Sequence, residues 1–103
     1  MSNEEAVYVL QQVQKSILEL RDDAEHYAEM WRNDWEILDK ASYILLDTDE
    51  ELSHKLERAA KQKKKDAIAE QGRVNALTDA LYPINGYLAI YMTRANAQKE
   101  EKD

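Results

Sequence analysis

Two pairs of acidic residues have a spacing that suits the binding of a divalent cation. Asp22 and Glu25 are three residues apart, and so are Glu36 and Asp39. Residues three or four positions apart lie on one side of an α-helix, where two carboxylates can share a hard cation such as Mg²⁺. A chain with 21 acidic residues among 103 also produces such pairs by chance. We therefore interpret both pairs as parts of solvent-exposed helix faces.

The same two pairs resemble fragments of the all-helical nucleoside triphosphate pyrophosphohydrolases of the MazG type. The resemblance spans residues 22–39 of the 103 and implies Mg²⁺ bound by paired acids on neighbouring helices. On one unbroken helix, however, the two pairs are about 21 Å apart and cannot share an ion. We predict no metal ligands here and keep this activity only as an alternative.

Each histidine follows an acid at the spacing found in metal sites of helical bundles. These pairs are Asp23 with His26 and Glu51 with His54. Neither histidine falls on the main apolar stripe of its helix. In an antiparallel hairpin that turns at Asp47, the two histidines also lie far apart. Both are therefore predicted to be surface residues.

The sequence lacks the residue sets that nucleophilic or cofactor-dependent catalysis requires. It has no Cys, which excludes disulfides and thiolate metal sites, and only two Gly. No Gly-rich phosphate-binding loop is present, and no plausible Ser-His-Asp arrangement exists. We predict that the protein is not an enzyme and needs no cofactor.

The charge distribution is acidic with one basic segment. The net charge of −7 argues against direct binding of nucleic acid through a broad basic face. The basic segment consists of Lys55, Arg58, Lys61, Lys63, Lys64 and Lys65. The favoured interpretation packs this segment against the acidic side of the first helix, at Glu29, Asp34 and Glu36. The alternative is a docking patch for an acidic partner, formed by Lys61, Lys63, Lys64 and Lys65.

Apolar residues in the first half recur at steps of three and four without an intervening Gly or Pro. They are Ala6, Leu10, Val13, Ile17, Leu20, Ala24, Tyr27, Trp31, Trp35, Leu38, Ala41 and Leu45. This spacing predicts a long amphipathic helix over about 3–46, begun by a capping box of Ser2 and Glu5. Two successive four-residue steps, from Tyr27 to Trp35, predict a stutter in a coiled-coil repeat. A second stripe of Met30, Ile37 and Ile44 predicts more than one neighbouring helix.

The second half is predicted to contain two helices. Thr48 and Glu51 form another capping box, so a helix is expected over about 49–81, weakest near 61–72. Gly72 ends or weakens that helix, and Pro83 stops it. A short helix over about 84–97 and a frayed tail over 98–103 follow. The predicted fold is all-α in one domain, 1–103: a long antiparallel helical hairpin plus a short C-terminal helix, with coiled-coil-like or helical-bundle packing.

The length of the first helix predicts assembly. A helix over 3–46 measures about 66 Å, whereas a compact globule of this size has a radius of gyration of about 13 Å. Either the helix breaks near Asp22 or its apolar stripe is buried against a second subunit. We favour an unbroken helix and a homo-oligomer, most simply a dimer. The predicted interface consists of Leu10, Val13, Ile17, Leu20, Tyr27, Trp31, Trp35 and Leu38.

These features favour a non-enzymatic interaction module that self-associates and binds a protein partner of unknown identity. A second hypothesis is a small acidic inhibitor, of the phage or mobile-element type, that occupies the nucleic-acid-binding groove of a target protein. The polar, acidic start of the chain does not resemble a signal peptide, and the apolar stretch 84–92 is far shorter than the ~20 residues of a membrane span. We therefore expect a cytoplasmic protein without membrane association.

Overall fold

Two α-helices form the structure, a computed structural model that describes residues 2–102, with side chains described for residues 2–99. Helix α1 comprises Asn3–Leu45 and helix α2 comprises Glu50–Lys102. The predicted all-α class is confirmed. Helix α1 is assigned without a break at Asp22, as favoured from the sequence. A frayed tail was predicted over 98–103, but α2 continues through this segment to Lys102. Asp103 lies outside the described residues.

Side-chain caps begin both helices. At α1 the predicted capping box is present: the Glu5 amide donates to Ser2 Oγ at 3.1 Å, and the Ser2 amide donates to Glu5 Oε2 at 3.4 Å. At α2 the predicted capping box was placed one residue too early. Asp49 is the cap, because its Oδ1 accepts a hydrogen bond from the Leu52 amide at 3.0 Å. A carboxylate at this position also interacts favourably with the helix dipole, because the N-terminal end of a helix carries a partial positive charge.

The predicted stop at Pro83 and the separate C-terminal helix are wrong, because α2 continues through this residue. Proline removes one backbone donor and costs a helix interior about 3 kcal/mol. Pro83 itself lies on the exposed side of α2, whereas Leu81 and Leu88 are buried on the opposite side. Apolar packing on both sides of the proline therefore favours continuation of the helix. Gly72 likewise lies within α2.

Contacts divide the chain into two compact units. The terminal unit combines Met1–Arg21 with Asn75–Asp103, and the turn unit comprises Asp22–Val74. Within the terminal unit, Gln14 Nε2 donates to Asn85 Oδ1 at 2.8 Å. Within the turn unit, Ser42 contacts Ser53 across α1 and α2.

The α1 and α2 segments run antiparallel within each unit considered by itself. In the turn unit, the contact of Ser42 with Ser53 is followed by that of Trp35 with Lys64. In the terminal unit, Gln14 meets Asn85, and Val7 lines a pocket together with Ala95. In both units, residue numbers therefore fall along α1 as they rise along α2.

The buried residues of α2 recur every seven positions. They are Ser53, Ala60, Ala67, Val74, Leu81, Leu88 and Ala95. A second set lies three residues after each of the first six and is half-buried: Leu56, Lys63, Glu70, Leu77, Ile84 and Tyr91. This seven-residue repeat is typical of coiled-coil packing. We call the surface of either helix that is buried against the other the seam.

The seam of α1 follows the same repeat but differs from the predicted stripe. Ala28 is 2% exposed, whereas Tyr27 is 47% exposed. The steps from Ala24 through Ala28, Trp31 and Trp35 are then four, three and four, so the predicted stutter is absent from the seam. Small side chains let two helices approach closely. Among the described residues, six of the nine buried hydrophobic residues are alanines.

Candidate interaction surfaces

The acidic pairs predicted to be solvent-exposed lie on α1 in the turn unit. Asp22, Glu25, Glu36 and Asp39 are all exposed, and the helix is unbroken between the two pairs. Within the part of the chain that the structure describes, no group of three or more metal-ligating side chains is close enough to hold an ion.

His54 is flanked by acids other than the predicted one. Its Nε2 lies 3.4 Å from Glu50 Oε1 and its Nδ1 lies 3.6 Å from Glu57 Oε2. Glu51, the predicted partner, instead pairs with Lys55 at 3.4 Å. A hydrogen bond from Lys61 and its positive charge lower the pKa of Glu57, and His54 adds to this effect. These are exposed interactions along one helix.

His26 lies elsewhere in the turn unit. Its ring packs edge-on against Tyr27, with ring centroids 5.8 Å apart. The ring of Tyr27 in turn packs against that of Trp31, with ring centroids 5.7 Å apart. His26 is therefore part of an aromatic surface on α1.

Two serines form a polar contact in the seam of the turn unit that sequence analysis missed. Ser42 Oγ donates to the Ser53 carbonyl at 2.9 Å, and Ser53 Oγ donates to the Ser42 carbonyl at 2.7 Å. Both residues are buried. One sequence signal could have identified Ser53 as buried: it lies seven residues before Ala60, in the seven-residue repeat of α2. Spacing along α2 alone does not show that Ser42 of α1 lies opposite Ser53.

Two lysines of the basic segment pack on aromatic rings of α1. Lys63 Nζ lies 5.9 Å from the centroid of Trp31, and Lys64 Nζ lies 5.1 Å from that of Trp35. These distances are typical of cation–π interactions. Lys61 pairs with Glu57 of its own helix at 3.4 Å. The predicted pairing with Glu29, Asp34 and Glu36 of α1 is therefore replaced, for these lysines, by indole contacts and by pairing within α2. The reason is that seam positions on α1 present the tryptophans to α2.

The predicted interface residues divide between the seam and the outside. Five of them are half-buried in the seam: Leu10, Ile17, Trp31, Trp35 and Leu38. The other three are exposed, namely Val13, Leu20 and Tyr27. These three lie one position before the seam residues Gln14, Arg21 and Ala28, on the flank of α1.

Large hydrophobic side chains form an outer stripe on α1 in the turn unit. It consists of Tyr27, Met30, Ile37 and Ile44. Met30, Ile37 and Ile44 are spaced by seven residues, the same repeat as the seam. Ile37 is 66% exposed and Ile44 is 73% exposed, so neither side chain is covered by the residues that the structure describes. It is a candidate surface for another helix.

A groove on another side of the turn unit combines cations with apolar groups. It has a volume of about 160 Å³ and is lined by Arg32, Trp35, Lys64, Ala67, Ile68 and Gln71. Ile68 is 63% exposed. Three more cations lie nearby along α2, at Arg58, Lys61 and Lys65, and all three are exposed. We call Arg58, Lys61, Lys64 and Lys65 the cationic row.

The terminal unit has its own apolar groove. Its volume is about 290 Å³, and it is lined by Ala6, Val9, Leu10, Tyr87 and Tyr91. Tyr87 and Val9 are both substantially exposed. The groove carries no charged side chain, so it offers shape and apolar surface only.

Comparisons of the chain with protein-family models, with curated proteins and with solved structures gave no match. Neither helix, over the residues that are described, has an apolar stretch long enough to cross a membrane.

Proposed function

We propose that this protein is a non-enzymatic helical interaction module that self-associates through the outer stripe of α1 and binds a protein partner through another exposed face. The observation that supports self-association most directly is the exposure of the outer stripe. The chain buries alanine and serine in the turn unit and leaves Ile37 and Ile44 in solvent. A monomer in water gains nothing from this arrangement.

A second copy is the occupant that the spacing favours. The outer stripe repeats every seven residues, so it fits a helix with the same repeat, and α1 of another copy supplies one. In a symmetric dimer the same patch is used twice. Four large side chains from each copy then leave water together. At about 1 kcal/mol or more for each, their combined burial is comparable with the ~8 kcal/mol of a micromolar complex before the cost of association is subtracted.

A charge placed in the outer stripe tests this part of the proposal. Ile37→Glu adds a carboxylate at a residue that makes little contact within the chain, so the fold should persist. The matched control is Tyr43→Glu, because Tyr43 is on the same helix, is 82% exposed and lies off the stripe. Sedimentation velocity at 100 µM should show the Ile37→Glu variant as a monomer and the control as a dimer. Equal behaviour of the two variants would refute the outer stripe as the interface.

The acidic inhibitor is the second candidate, and one observation favours it. Five exposed acids follow one side of α1 in the turn unit: Asp22, Glu25, Glu29, Glu36 and Asp39. Arg32 interrupts this row, and Lys64 lines the same groove as Arg32. Mixed charge of this kind is a poor substitute for the uniform charge of a nucleic acid. The interaction module is therefore the better-supported function.

A further inference from the structure

The cationic row has one acid on its own side of α2, Glu57, which pairs with Lys61 at 3.4 Å. Between Arg58 and Ile68, the one acidic residue of α2 is Asp66. Asp66 follows Lys64 by two residues, a rotation of about 200° that places it on the side of the helix opposite to Lys64, where it accepts a hydrogen bond from Gln62 at 3.1 Å. The four cations lie along about 10 Å of α2, from Arg58 to Lys65, and the exposed side chain of Ile68 follows about 5 Å further on. Glu57 offsets the charge of Lys61, so Arg58, Lys64 and Lys65 give this row its positive charge.

The groove beside the cationic row offers an apolar floor. Trp35 and Ala67 line it together with Ile68. Lys64 is held over the Trp35 ring at 5.1 Å, which restrains its ammonium group at the rim of the groove. An apolar side chain that enters here meets the indole, while a carboxylate beside it meets Lys64.

The two walls of the groove differ in charge, and this difference selects among anionic partners. Glu29 and Glu36 are exposed on α1, three residues before and four residues after Arg32, so they lie on the same side of the helix as Arg32. Duplex nucleic acid carries one charge per ~1.7 Å and would place phosphates near these acids. A short peptide segment can place its acids along α2 only.

We infer that this groove and the cationic row bind an acidic amphipathic segment of a partner protein, with its carboxylates along α2 and an apolar side chain between Trp35 and Ile68. The inference deepens the proposed partner binding and does not depend on self-association. Met30 of the outer stripe and Arg32 of the groove are two residues apart, so they project to opposite sides of α1. A dimer formed through the outer stripe leaves the groove accessible.

The test uses a synthetic, fluorescently labelled amphipathic peptide of 14 residues, with four glutamates along one edge, leucines beside them and no aromatic residue. Fluorescence anisotropy gives the affinity, and tryptophan emission reports contact near Trp35. We expect saturable binding that weakens at least tenfold between 50 and 500 mM NaCl, because exposed charges are screened. A peptide of the same composition in scrambled order should bind at least tenfold more weakly.

The decisive variant is Lys64→Glu combined with Lys65→Glu, and its matched control is Lys15→Glu with Lys40→Glu. Both change the net charge by the same amount, but Lys15 and Lys40 are on α1 and outside the groove. We expect a loss of at least tenfold in affinity for the first variant and less than threefold for the control. Circular dichroism checks that both remain helical.

Four results would overturn the inference: no saturable binding at 1 mM peptide, equal losses in the two variants, tighter binding of a single-stranded oligonucleotide, or dissociation of the dimer by the Lys64→Glu and Lys65→Glu variant. The last result would assign the cationic row to the contact between copies. The Ile37→Glu variant should bind the peptide as the wild type does. If the wild type is monomeric yet binds the peptide, self-association fails and this inference stands.

Discussion

Ser42 and Ser53 each donate a hydroxyl hydrogen bond to the backbone carbonyl of the other, at 2.9 and 2.7 Å. The two hydroxyl oxygens are 3.3 Å apart, so the pair closes a compact polar contact between α1 and α2 near the turn. Side chains of this size permit close approach of the two helices. A buried, satisfied polar pair also disfavours shifts in register.

Replacement of either serine should destabilise the fold. Ser42→Ala or Ser53→Ala removes a donor from a buried carbonyl and should lower the free energy of unfolding by about 1 kcal/mol. The double variant should cost less than the sum, because each single substitution removes its own hydrogen bond and also the shared contact between the two hydroxyl oxygens at 3.3 Å. Urea denaturation at one fixed protein concentration measures these changes. Ser16→Ala, an exposed serine on the same helix, is the control and should show no loss. Additive losses would contradict the pairing.

The two glycines of α2 should limit its stability. A Cβ added at Gly72 or Gly86 meets no atom within 4 Å, and both residues are exposed within the helix. Gly72→Ala and Gly86→Ala should each therefore raise the free energy of unfolding by about 1 kcal/mol, through helix propensity alone. The reverse change at an exposed alanine, Ala69→Gly, should lower it by a similar amount. A loss of stability on either Gly→Ala change would indicate that the glycine is needed for another contact.

The pKa of Glu57 should make a small contribution to stability that depends on pH. Lys61 lowers this pKa through a hydrogen bond and its charge, with help from His54. A pKa that is lower in the folded state stabilises the fold above the unfolded value of about 4.3, and the contribution is lost as the pH falls through the folded value. Carboxyl-detected NMR titration should show the pKa of Glu57 rising in a Lys61→Gln variant. An unchanged pKa would contradict the role of Lys61.

The sequence predicted where α1 begins and ends better than it predicted which of its residues are buried against α2. The capping box of Ser2 and Glu5 and the absence of Gly or Pro before Leu45 were sufficient to place α1. They did not show which of two adjacent stripes is buried. Tyr27 and Ala28 both continue a repeat of three and four residues, and hydrophobicity alone favours the tyrosine. The structure buries the alanine because its small side chain permits close approach.

The candidate surfaces could be predicted only in part. The stripe of Met30, Ile37 and Ile44 follows from spacing, and so does the basic composition near Lys64. The contact of Lys64 with Trp35 depends on the register between α1 and α2, which local spacing does not determine. The continuation of α2 through Pro83 could not be predicted from local propensity, because it depends on the packing of Leu81 and Leu88 on the other side of the helix.

Sedimentation equilibrium of the wild-type chain is the most direct test of self-association through the outer stripe of α1. Each chain has a mass of 12.0 kDa. At 100 µM, where a micromolar complex is nearly saturated, we predict a particle of twice that mass that dissociates on dilution. A particle of 12.0 kDa at 100 µM would contradict the proposal that a second copy covers Ile37 and Ile44.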